Sequence, residues 1–272
     1  MNASLGFIGG GNMARSLIGG LVARGIDAQR ITVADPAASQ LQSLREQFGV
    51  NVTQSNATAA QGADVVILAV KPQAMRSVVT ELAASFTGAP LIISVAAGIR
   101  ASDIQRWAPG VAVVRCMPNR PALQGCGMTG LFATEDVSSE RRALAVELLS
   151  AVGSTVWLEH EAQMNVVTAI SGSGPAYFFL LIEMLEQTGV ALGLPAEVSH
   201  RLAVETAYGS GLMARAADEP AATLRQQVTS QGGTTEAALQ YLEANNVRDI
   251  FAAAVTAAAR RGAQLAEEFG AG

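Results

Sequence analysis

LGFIGGGNMA, residues 5–14, is the stretch whose reading decides the fold. A short apolar run stops abruptly at three glycines, and a helical pattern begins at once with Asn12 and Met13. Gly9, Gly11 and Ala14 stand in G-x-G-x-x-A spacing. Each small residue answers a separate physical need: Gly9 for a tight turn, Gly11 so that backbone approaches a pyrophosphate, and Ala14 so that helix and strand pack closely. Alone the pattern is weak, because any tight turn uses glycine. Its context between a strand and a helix makes it a dinucleotide fingerprint.

Working outward, LGFIG (5–9), ITVAD (31–35), DVVILAV (64–70), PLIISVAAG (90–98) and VAVVRCMPN (111–119) are β-branched runs closed by turn residues. Such runs read as strands buried on both faces of a parallel sheet. Between them, residues 13–24 and 40–48 are long enough for crossover helices, giving a βαβ series and a doubly wound parallel sheet. TGLFA (129–133) and STVWL (154–158), flanking a helix near 140–151, complete the sheet. Beyond about Glu159 the chain becomes alanine-rich and helical. We therefore expect residues 1–159 as a dinucleotide-binding domain and 160–272 as an all-helical domain. The second has only about 110 residues, and several of its segments are apolar on more than one face. It should bury them against a second copy of the chain.

Two charged residues sit at strand ends. Asp35 closes the second strand, somewhat further from Gly9 than the ~20 residues usual for the acid that holds an adenosine ribose. A carboxylate there favours the free 2′-hydroxyl of NAD over the 2′-phosphate of NADP; equally, Asp35 with Pro36 forms a turn. Lys71 is the single lysine of the chain. It follows a strand and precedes Pro72, at the sheet edge where doubly wound folds bind ligands. Its other reading is a solvated loop lysine.

Composition removes other classes. Charged residues make up 15 % and the net charge is −5, so no basic stripe is available for nucleic acid or an anionic membrane. Cys116 and Cys126 are too few for a disulfide framework and too far from His160 and His200 to indicate a metal site. Neither a basic-led signal segment nor an apolar stretch long enough to span a bilayer stands out, Glu183 interrupting the longest. A cytoplasmic location is expected.

Two later motifs are more specific: SGSGPAYFF from Ser171 and VTSQGGTTEAALQYLE, residues 228–243. With GGGNMA, AVKPQ and RCMPNRPAL, in this order, they resemble pyrroline-5-carboxylate reductases over about residues 5–268. The resemblance implies an N-terminal Rossmann domain, a C-terminal helical dimerisation domain, and reduction of L-1-pyrroline-5-carboxylate to L-proline with NADPH or NADH, the last step of proline biosynthesis. It implies homodimers, which in the family commonly assemble into decamers of five dimers. Gly9, Gly11, Asn12, Met13, Asn56, Ala69, Lys71 and Pro72 match the family's cofactor-binding positions, and Asp35 its ribose-end position. Glu161, Ser230, Gly232, Gly233, Thr234 and Thr235 match positions in or beside the proline site, with Thr235 the hydroxyl near the ring nitrogen.

Three residues depart from the family pattern: Arg120 for a threonine, Gln231 for a proline, and Asn165 for an aspartate. Pro175 is expected to free a helical carbonyl that Ser171 or Ser173 satisfies. Neither histidine lies in a motif, so the substrate is expected to bind as the protonated iminium, with Thr235 orienting it. Three rivals are weighed. β-Hydroxyacid dehydrogenases share the two-domain plan but resemble one another in using a helical-domain lysine, and no lysine follows Lys71. A nucleotide-sensing dimer would not need intact GGTT and SGSGPAY loops. An imine reductase for a larger ring is left room by Gln231.

Overall fold

The computed structural model describes residues 3–86 and 88–270. Eight strands form one sheet: β1 (Leu5–Ile8), β2 (Ile31–Ala34), β3 (Asn51–Thr53), β4 (Val65–Leu68), β5 (Leu91–Ser94), β6 (Ala112–Met117), β7 (Gly127–Ala133) and β8 (Gly153–Trp157). Their order is β3-β2-β1-β4-β5-β6-β7-β8. The first six are parallel, in the 3-2-1-4-5-6 order of a Rossmann sheet. Strand β7 departs from the expected parallel series by pairing antiparallel with β6. The link between them holds only a short 3-10 turn over Arg120–Gln124, too little chain for a crossover helix, so β7 must return alongside β6.

Helices α1 (Asn12–Ala23), α2 (Ala38–Phe48), α3 (Asn56–Ala60), α4 (Pro72–Ala83), α5 (Ala101–Trp107) and α6 (Ser139–Leu149) cover the sheet. Strands β1, β4 and β5 are buried at every position. Their alternate side chains feed two cores. Leu5, Phe7, Val65 and Ile67 face α1 residues Leu17 and Ile18, while Ile8, Val66 and Leu68 face Met75, Val79 and Leu82 of α4. That two-sided burial explains why these segments read as unbroken apolar runs. Strand β3 has only three residues at the sheet's edge, all at least partly exposed, and its pattern was too weak to be read.

Helix α7 (Gln163–Val167) runs through a π turn at Thr168–Gly172 into α8 (Gly174–Ala191), and α9 (Ala196–Ala216), α10 (Ala221–Gln227), α11 (Thr234–Ala244) and α12 (Val247–Gly270) follow. Two compact units result: Met1–Ser173 with Ala258–Gly272, and Gly174–Ala257. Strands do stop near 159, but the units divide at 173/174, and the last stretch of α12 returns to the first unit. There Phe269 packs on Gly98, which has φ +75, and the Gly270 carbonyl accepts from Arg106 at 2.8 Å.

The second unit is built on α8 packed against α9. Ser199 Oγ donates to the Glu186 carbonyl at 2.8 Å, with Gly189 so close that a methyl there would lie 2.1 Å from that oxygen. Tyr177 meets Phe251 edge-on at 5.6 Å. Most of the unit's large apolar side chains remain outside, with Phe178 66 % and Phe179 62 % exposed. The continuous helix Gln163–Ala191 is long and apolar enough to cross a bilayer, unlike the stretches expected from sequence. The apolar run reads as too short because Glu183 interrupts it, but the backbone stays helical through Gly172, Gly174 and Pro175 by way of the π turn, so the helix is longer than that run.

Candidate active site

At the carboxyl edge of the sheet, the ends of β1, β2 and β4 are locked together. Gly9, with φ +99, donates its N–H to the Ala34 carbonyl at 2.8 Å. A methyl on Gly9 would stand 2.7 Å from the Ala69 carbonyl oxygen, so only glycine permits this approach of the loops after β1 and β4. Gly11 caps α1, and nothing lies within 4 Å of where its side chain would be. No side chain caps α1 and its first turn carries no acid, while Ala14 is completely buried beneath. Gly11, Asn12 and Met13 thus present an uncapped helix N-terminus to open space, the arrangement that receives a diphosphate.

Asp35 is at once a turn residue and part of this site. Its Oδ1 accepts the Ala37 N–H at 2.9 Å, and its Oδ2 accepts the Gly10 N–H at 2.8 Å. Gln40 Nε2 donates to the Gly10 carbonyl. The carboxylate therefore braces the glycine loop, and its remaining lone pairs leave capacity for a ribose hydroxyl. Asn56 opens α3 behind the Ser55 cap, whose hydroxyl accepts from Thr58 at 3.2 Å. Lys71 caps α4 with Pro72 in the first turn; it is exposed and makes no ion pair among the described residues.

Further along the same edge, two residues that sequence reading passed over organise the end of β6. Arg115 is 4 % exposed, and its Nη1 lies 2.9 Å from Glu161 Oε1. That same oxygen accepts the Ala101 N–H at 2.7 Å, at the start of α5. Glu161, expected beside the substrate, is thus anchored first by a buried cation and a helix N-terminus. Asn119 Nδ2 donates to both the carbonyl and the hydroxyl of Ser171 at 3.2 Å, and its Oδ1 accepts the Met128 N–H at 2.9 Å. Pro175 has no N–H to give the Ser171 carbonyl, so Asn119 satisfies an oxygen expected to be served by Ser171 or Ser173. Gly172 packs on Met117, where a methyl would lie 2.7 Å from its terminal carbon. A lone arginine in VAVVRCM and an asparagine before Arg120-Pro121 were the available signals. Burial holds the Cys116 thiol far above its ordinary value, so this cysteine is no nucleophile.

In the second unit, Ser230–Gly233 forms the turn before α11. Gly232 has φ +71, Gly233 caps the helix, and the Gly233 N–H donates to the Ser230 carbonyl at 3.0 Å. Thr234 and Thr235 open α11. Glu236, unremarked in sequence, reaches back to accept the Gly232 N–H at 2.6 Å. The structure ties the glycine loop to Asp35 and Ala69, leaves Glu161 in the same unit with Arg115 and Ala101 as its partners, and holds Ser230 to Thr235 in the second unit.

Fold and site define the class: a nicotinamide-dinucleotide oxidoreductase with a Rossmann domain and a helical domain. A family model described as pyrroline-5-carboxylate reductase dimerisation matches residues 161–265, and one described as NADP oxidoreductase, coenzyme F420-dependent, matches residues 4–98. The chain is 47 % identical to the pyrroline-5-carboxylate reductase of Pseudomonas aeruginosa, covering 98 % of both chains. It is similar to the solved pyrroline-5-carboxylate reductase of Coxiella burnetii, with a TM-score of 0.94 at 41 % identity, covering 97 % of this chain and 99 % of that one. The Plasmodium falciparum enzyme, solved with NADP bound, gives 0.86 at 29 % identity, covering 97 % and 98 %. The chain belongs to the pyrroline-5-carboxylate reductase family.

Proposed function

We propose that the protein reduces L-1-pyrroline-5-carboxylate to L-proline with NAD(P)H, the last step of proline biosynthesis. The observation that carries this is identity of 47 % to a named reductase along 98 % of both chains, in a chain that keeps the glycine loop at the sheet's switch point. Bound NAD(P)H supplies a hydride to the imine carbon. The uncapped start of α1, at Gly11, Asn12 and Met13, fits the diphosphate, with Asp35 toward the adenosine ribose. Asn56, Ala69, Lys71 and Pro72 line the cofactor's path.

The turn at Ser230, Gly232 and Gly233 and the start of α11 at Thr234 and Thr235 receive the substrate carboxylate through backbone N–H groups and the positive helix end. Thr235 orients the ring nitrogen. No side chain in these motifs is a ready proton donor at neutral pH, so the substrate enters as the iminium, and hydride addition directly gives the secondary amine. Rate then comes mainly from holding donor and acceptor carbons about 3–3.5 Å apart. Glu161, held by Arg115, is a further substrate-site residue by its match to the family's positions.

The exposed apolar surface of α8 and α9 is covered by a second copy, consistent with the dimerisation model over 161–265. Dimers assemble further into a decamer, and the protein works in the cytoplasm without membrane or nucleic-acid partners. Initial rates with NADH and NADPH, on pyrroline-5-carboxylate and on its six-membered homologue, test the assignment. Turnover of the five-membered ring is expected; cofactor binding without turnover of either ring would favour a nucleotide sensor.

A further inference from the structure

The π turn at Thr168–Gly172 is held at two points by the last residue of β6 and the loop that follows it. Met117 touches the Gly172 backbone, and Asn119 donates to the Ser171 carbonyl and hydroxyl. The turn is a true π turn, since the Ser173 N–H donates to the Thr168 carbonyl five residues back, at 2.8 Å. Such turns disrupt the regular ladder and persist only where surrounding contacts hold them, often at functional sites. The carboxyl edge to which this one is tied is the edge that carries the glycine loop and Lys71.

We infer that Asn119 is a positioning residue for hydride transfer. Resting on the reductase function proposed above, it acts by fixing the Ser171–Gly172 backbone beside the reacting carbons. Its amide is matched to three partners at once: two acceptors on Ser171 for its NH2 group and one donor, Met128 N–H, for its oxygen. Asn119→Asp separates these roles. The carboxylate still accepts from Met128 but faces the Ser171 carbonyl oxygen with no hydrogen to give, and oxygen then opposes oxygen. Protonation restores an O–H donor toward that carbonyl. The defect should therefore be relieved by acid, which a merely structural role would not produce.

The test compares wild-type and N119D protein for kcat with pyrroline-5-carboxylate between pH 5 and 8, alongside NADPH affinity by fluorescence titration. At pH 7.5 we expect kcat to fall at least tenfold with NADPH affinity unchanged within twofold, and the ratio of variant to wild-type kcat to rise as pH falls. A ratio near one at pH 7.5, or a lowered ratio that stays flat with pH, overturns the inference. Gly172→Ala gives a second measurement should N119D fail to unfold cooperatively, because it crowds only the mobile end of Met117. It should lower kcat severalfold at unchanged NADPH affinity; unchanged kcat also overturns the inference. Wild-type protein without turnover would instead refute the reductase function, and this inference with it.

Discussion

Breaking the Arg115–Glu161 pair should destabilise the first unit measurably, and repairing its charge balance should restore most of the loss. The guanidinium is 4 % exposed and the carboxylate 21 %, at 2.9 Å. Removing one partner of a buried pair costs about 3–5 kcal/mol, chiefly because the other charge stays buried without compensation. Partial exposure of Glu161 puts Glu161→Ala at the low end, about 3 kcal/mol, part of it from the Ala101 N–H losing its acceptor. For a chain of this size that is about 6–12 °C in melting temperature. Arg115→Met combined with Glu161→Gln removes both charges while keeping an amide oxygen for Ala101. That double variant should lie within about 1 kcal/mol of wild type, because an apolar replacement of a buried pair is often nearly neutral. Thermal unfolding of wild type, Arg115→Met, Glu161→Gln and the double variant at one protein concentration gives the cycle, with Glu161→Ala measured alongside. A Glu161→Ala shift under 2 °C, or a double variant as unstable as the sum of its singles, would refute the reasoning.

Gly9→Ala places a side chain in the left-handed region against the Ala69 carbonyl, costing about 1–2 kcal/mol for the backbone and about 1–3 kcal/mol for overpacking. NADPH titration should show affinity reduced by tenfold or more, and unchanged affinity would exclude the proposed cofactor loop. Asp35→Ser should raise the NADPH/NADH ratio of kcat/KM by about tenfold, the equivalent of ~1.4 kcal/mol of relieved repulsion, while weakening both cofactors through loss of the Gly10 contact; an unmoved ratio would leave Asp35 a turn residue only. Thr235→Ala should lower kcat by about tenfold or more, as expected for losing a hydrogen bond to a charged group, with NADPH affinity unchanged and Thr235→Ser restoring activity. Because Cys116 is buried with its thiol pushed far up whereas Cys126 is exposed, a thiol reagent should modify one cysteine per chain natively and both after unfolding.

What the sequence made legible follows from local physics. Strands β1, β4 and β5 are buried on both faces, so their apolar runs stand out, and the loop after β1 carries its own chemical reasons in Gly9, Gly11 and Ala14. Asp35 and Lys71 were legible as candidates because each follows a readable strand, whereas Asn56 and Ala69 came only from the family resemblance. Long-range partnerships left no such trace. Arg115 meets Glu161 across 46 residues, and Asn119 meets Ser171 across 52, with neither spacing written in a periodic pattern. The reversal of β7 depended on the shortness of the link after β6. Likewise, the return of Ala258–Gly272 to the first unit depends on tertiary contacts such as Phe269 on Gly98.

Hydride delivery to an imine carbon is the central claim, and isotope transfer tests it most directly. NADPH deuterated at the transferable C4 position, incubated with pyrroline-5-carboxylate and the protein, should yield proline carrying one deuterium on the former imine carbon, in step with cofactor oxidation. Cofactor oxidation without labelled proline, or no oxidation at all by protein that binds NADPH, would contradict the account.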